Sequence, residues 1–151
     1  MRRVVVLVVT GAVLVAGCTS HPVGPARTEA SYEGKARTTA ESARSSVETA
    51  ILVVRAFRDG DAIGTYAGTV LSDQEEGLSG VQGTFASIQP PSERADQLLD
   101  ELDGLMGDAL EHLRAARVAV RRGDGQAAGD LLPDLRSDAD ALQAFAEEHD
   151  A

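Results

Sequence analysis

Between Tyr32 and Glu148, apolar residues recur at steps of three and four, and clusters of helix breakers cut the pattern into four stretches of similar length. That step is the repeat of one helix face at 3.6 residues per turn, so each stretch is predicted to be an amphipathic helix. The first runs from about Tyr32 to Arg58 and carries Ala36, Ala40, Ala43, Val47, Ala50, Ile51, Val54 and Phe57 on its inner face. Asp59-Gly60-Asp61 ends it, with Gly60 suited to a left-handed C-terminal turn and Asp61 to capping the next helix.

The second stretch runs from about Ala62 to Ile88, with Ile63, Tyr66, Ala67, Val70, Leu71, Leu78, Val81, Phe85 and Ile88 inward. Its glycines make it the weakest helix, at roughly 1 kcal/mol each against alanine. Helical geometry points Gly64, Gly68 and Gly83 away from that face. Pro90-Pro91 stops it, since neither residue can donate a backbone hydrogen bond. The third starts at Ser92, a good N-cap, and its stripe runs from Leu98 and Leu102 through Met106, Ala109 and Leu113 to Val120. Arg121 and Arg122 sit at its end, where the helix dipole favours cations. After Gly123-Asp124-Gly125 the fourth spans about Gln126 to Glu148, with Leu131, Leu135, Ala139, Leu142 and Phe145 inward. Pro133 either kinks it or marks a later start capped by Asp130.

Aromatic residues make up only 3% of the chain and tryptophan is absent, so the core must be built from Ala, Val and Leu. Such a core suits close-packed helices better than a β-sandwich. Four helices of similar length joined by short turns fit an all-α fold, an antiparallel up-down-up-down four-helix bundle.

The first residues follow a different pattern. Arg2 and Arg3 precede an apolar run from Val4 to Val15, too short to span a bilayer, and the run ends in Val15-Ala16-Gly17-Cys18. These residues resemble the signal of bacterial lipoproteins processed at a lipobox: an aliphatic residue, two small ones and cysteine. The resemblance covers residues 1–18. It implies a diacylglycerol thioether on Cys18, cleavage before it, and a mature protein held by lipid on the extracytoplasmic face of the cell membrane. The organisation then expected is a signal peptide over 1–17, lipidated Cys18 with a flexible tether over 18–30, and the bundle over 31–151. The tether carries Pro22 and Pro25 and no apolar period; a dozen such residues reach on the order of 20 Å.

The formal net charge is −10, and losing Arg2 and Arg3 would make the mature chain more acidic still. Nucleic-acid binding needs a basic footprint and is not expected. One cysteine excludes an internal disulfide and any site built from several thiolates. The histidines are His21, His112 and His149, and none lies three residues after a glutamate, so the di-iron bundle motif is missing. Haem attachment through Cys-x-x-Cys-His is equally missing. Asp108 and His112 stand four apart on one helix face, a weak metal pair at best and a solvated pair by the simpler reading. No nucleophile–base–acid set and no phosphate loop are found, so neither an enzyme nor a cofactor is expected.

Two polar residues fall within apolar stripes. Gln74 lies about 20° from Ile63 on the second helix, and Asp138 about 20° from Leu131 on the fourth. Folding the chain at its turns brings both level with Ala109, beside Met106 and Val47, with Arg44 near. The expectation is one shared polar layer, serving either as a register device or as a small site. The function expected is a membrane-anchored, non-enzymatic module that binds an envelope protein or acts structurally. The alternative is a lipoprotein that binds or senses a small ligand or metal.

Overall fold

The computed structural model describes residues 26–150, which form an all-helical bundle. Cys18, the signal stretch and the first part of the tether lie outside the described residues. The helices are α1 (Glu29–Asp59), α2 (Gly64–Ala86), α3 (Glu93–Arg121), the short α4 (Gly125–Asp130) and α5 (Leu132–Glu148). Among the described residues there is no strand.

Local chemistry sets most helix ends. Thr28 caps α1 by accepting from the Ser31 amide, and Ser92 caps α3 by accepting from Ala95. Within the stretch expected to be a flexible tether up to residue 30, Ala26 is already buried and the helix begins at Glu29. Gly60, at φ 85°, closes α1 in the left-handed conformation, and the Asp61 amide then reaches back to the Ala56 carbonyl at 2.8 Å. Asp61 does not cap α2; Ile63 holds that position without a side-chain bond.

The fourth stretch resolves into two helices. Asp124 caps α4 through the Ala127 amide at 2.9 Å. The chain breaks at Leu131, and Pro133 falls in the first turn of α5, where no amide bond is lost. Asp130 ends α4 rather than capping α5.

Side-chain contacts give the up-down-up-down order. Near the start of α1, Tyr32 packs on Phe85 at the end of α2, Glu33 meets Arg94 at the start of α3, and Arg37 reaches Asp150 beyond α5. At the far end, the Arg58 backbone lies beside Gly125 and its side chain over Gly129. The cross-section is a flattened rhombus. α1 touches every other helix, including its diagonal partner α3, whereas α2 and α5 do not meet. The inner face of α1 is small, with Ala36, Ala40, Ala43 and Ala50 fully buried, and small side chains permit the close approach that its contact with all the other helices requires. Closing one diagonal opens the other.

At the start of α2 the expected face is rotated. Ile63 and Tyr66, expected inward, are 72% and 60% exposed. The face that packs there is Gly64, Ala67, Gly68 and Leu71. A β-carbon on Gly64 would lie 3.4 Å from the Phe57 ring and 3.7 Å from the Val120 carbonyl oxygen. One on Gly68 would lie 3.8 Å from Arg121. Gly64 and Gly68 therefore face the neighbouring helices, at distances where a β-carbon would make ordinary contact.

Candidate functional site

Asp138 is the one charged side chain that is buried among the described residues, at 9% exposure. It stands in the second turn of α5, between Leu135 and Ala139 on the inner face. A carboxylate placed there needs a partner, because stripping it of water is costly. That partner is His112 of α3: Nδ1 lies 2.8 Å from Asp138 Oδ2. An ionised carboxylate can only accept, so the imidazole donates from a protonated Nδ1.

Each group shifts the other. Burial alone pulls the His112 imidazole down. The hydrogen bond and charge of Asp138, joined by Asp134 and Glu111, outweigh it and hold the imidazole above the usual histidine value. Burial lifts the Asp138 carboxyl above its ordinary range; the His112 bond and charge oppose this, while Asp108 and Asp134 add to it.

The expected layer of Gln74 with Asp138 is not formed. Gln74 is half-buried on α2, and α2 does not touch α5. The helical wheel gives the direction of a side chain along one helix but not which helix lies across from it. Here the close α1–α3 diagonal separates the two. Val47, Met106 and Ala109 are fully buried as part of the hydrocarbon core. Arg44 reaches Glu48 through Nη2 at 3.5 Å, and its buried Nε has no partner among the described residues. Asp108 is not bonded to His112; it is exposed and acts on the pair as a nearby charge. Among the described residues no three His, Cys, Asp or Glu side chains are placed to hold a metal ion.

Sequence reasoning had both members of this pair but joined neither to the other. The signal was present. His112 lies about 60° off Ala109 around α3, on the flank of the stripe. Counting back from the turn at Gly123 brings it near the level of Asp138. A flanking histidine level with a stripe carboxylate on the next antiparallel helix is the pattern to seek.

Two surface clefts lie away from the pair. One, about 220 Å³, sits at the α1 N-terminal end among Glu29, Glu33, Arg94, Glu101, Glu148 and His149. The other, about 680 Å³, follows the α2–α3 seam at the opposite end, past Gly64, Gly68, Thr69, Ser72, Arg117 and Arg121. Further along that seam Glu75 is clamped by Arg114 Nε at 3.0 Å and Arg117 Nε at 2.7 Å. Burial alone would raise the Glu75 carboxyl, but the two guanidiniums hold it below its ordinary value.

No protein-family model matches this chain, and no curated protein or solved structure shows a significant match to it.

Proposed function

We propose that this protein is a lipid-anchored helical module on the extracytoplasmic face of the cell membrane, and that it holds or recognises an envelope partner rather than turning over a substrate. The observation that carries this reading is the run of Arg2-Arg3, an apolar segment, and Val15-Ala16-Gly17-Cys18. Among the described residues no helix is long and apolar enough to cross a membrane, so those helices supply no span of their own. Lipid on Cys18 would supply the attachment, since two or more acyl chains hold a protein stably on a bilayer.

The described fold suits a tethered role. Eight residue steps separate Cys18 from buried Ala26, a reach of at most about 29 Å. The end of the bundle carrying the α1 N-terminus would therefore stay near the bilayer. The 31 residues of α1 carry the opposite end about 46 Å further out. His112 has the bearing of a base oriented by a carboxylate, but among the described residues no hydroxyl or thiol is hydrogen-bonded to it. A binding role asks for no such nucleophile.

Detergent phase partition with intact-mass analysis tests the anchor. The wild-type protein is expected in the detergent phase with acyl mass on Cys18, and Cys18→Ala in the aqueous phase without it. Wild-type protein lacking acyl mass overturns the anchor. Pull-down from detergent-solubilised envelopes tests the binding role, and repeated recovery of no partner counts against it.

A further inference from the structure

The bond between His112 and Asp138 joins two helices that differ in how firmly they are set. α3 is long, well capped and central, with α1, α2, α4 and α5 all packed on it. α5 follows a break at Leu131 and has no side-chain cap; it packs most extensively on α1 and less so on α3 and α4, and does not meet α2. Its inner face is apolar except at Asp138. The fit of α5 onto α3 therefore depends on what Asp138 meets there.

We propose that His112 and Asp138 form a proton-operated clasp between α3 and α5, tight when the imidazole carries both of its protons and slack when it carries one. Mild acidification stiffens the bundle, and rising pH frees α5.

The surroundings favour this behaviour. With the imidazolium present, the buried carboxylate has a cation at 2.8 Å, and a charge-assisted bond of that kind is roughly twice as strong as a neutral one. When the imidazole becomes neutral, Nδ1–H still donates, but the carboxylate is left buried without a counter-charge. The charges acting on the pair come from α3, as Asp108 and Glu111, and from α5, as Asp134; all three are carboxylates. Among the described residues the cation acting on Asp138 is His112; of the arginines on α1 and α3, Arg44 is with Glu48, Arg58 with Asp59, and Arg114 and Arg117 with Glu75. When His112 loses its proton, no second cation acts on Asp138 in its place. The His112 side chain is 32% exposed, so protons exchange with solvent without unfolding.

The direction of the pH effect follows. The folded imidazole binds its second proton more tightly than the unfolded one, whose ordinary value is about 6.5. Its contribution to stability is complete below about 6.5 and is lost as pH rises through the higher folded value. Asp138, held above its ordinary 3.8, acts in the same sense in a lower window: its contribution is lost as pH rises from about 3.8 through its raised value. Between the two windows both groups are charged and the clasp is closed.

The full chain in detergent, wild type and His112→Gln, tests this by amide hydrogen exchange between pH 6 and pH 8.5, corrected for intrinsic exchange. Exchange within residues 134–148 of the wild type is expected to speed up about tenfold over that range, because release of α5 is linked to loss of the imidazole proton. Exchange in α1 is expected to change much less, and His112→Gln to show no such rise. An equal rise in His112→Gln overturns the clasp and assigns the pH dependence to overall charge. If His112→Gln does not fold, the wild-type imidazole titration followed by NMR decides instead. A midpoint above 6.5 together with α5-specific exchange supports the clasp, and a midpoint at or below 6.5 overturns it.

Discussion

The α2–α3 seam and the α3–α5 seam both set carboxylates against cations, yet they use them differently. On the α2 side, half-buried Glu75 spans two arginines, and the Gln82 amide donates to both the backbone and the carboxylate of Asp103 near solvent. Of the five glycines of α2, Gly64 and Gly68 face the neighbouring helices and Gly77, Gly80 and Gly83 face open space, and the helix has no side-chain cap. On the α5 side a single pair, His112 and Asp138, sits inside an apolar seam. Glu75 keeps one guanidinium if the other is lost, and Arg114 is exposed, so the α2 seam is forgiving. A buried carboxylate has no such substitute, and the α5 seam depends on one proton.

Truncating the helix that both seams share has the largest effect. Leu102 of α3 is fully buried, and Leu102→Ala is expected to lower unfolding free energy by about 2–5 kcal/mol in a denaturant titration, whatever the pH. Next comes the buried pair. His112→Ala leaves Asp138 unpaired and is expected to lower stability by about 2 kcal/mol at pH 6, below the range for fully buried pairs because His112 is partly solvated. The same change should matter less at pH 8.5. Asp138→Leu is expected to leave stability unchanged or raise it, and to abolish the pH dependence in either case, because hydrocarbon replaces a group that needs a partner. A pH slope that survives Asp138→Leu would break the comparison between the seams.

On the forgiving side the expected effects are smaller. Gly77→Ala meets nothing within 4 Å, and it should raise the melting temperature by stabilising α2 by about 1 kcal/mol. Gly64→Ala, whose β-carbon would touch the Phe57 ring, should gain less. Glu75→Gln is expected to lower stability by no more than about 1 kcal/mol, an effect that shrinks in high salt. Because Glu75 is held below its ordinary 4.5, that contribution is present above about 4.5 and is lost as pH falls through the lower folded value. The two seams therefore respond oppositely: acid weakens the α2 clamp and tightens the α5 clasp.

What the chain alone determined is the set of helices, because those depend on neighbours in sequence. Asp59-Gly60-Asp61, Pro90-Pro91 and Gly123 break the backbone locally, and the three- and four-residue steps mark the faces that pack. Burial of Ala36, Val47, Leu102, Leu113 and Leu142 follows from that period. Hydrophobicity points Ile63 and Tyr66 inward, yet Gly64, Ala67 and Gly68 face the neighbouring helices in their place. What only the tertiary structure decided is which residues face one another. Asp138 was legible as an inward carboxylate, but its partner was not. Whether it met Gln74 or His112 depended on which diagonal of the bundle closed. That choice rests on α1 and α3 packing on one another, a fit between segments about sixty residues apart that no single helix carries.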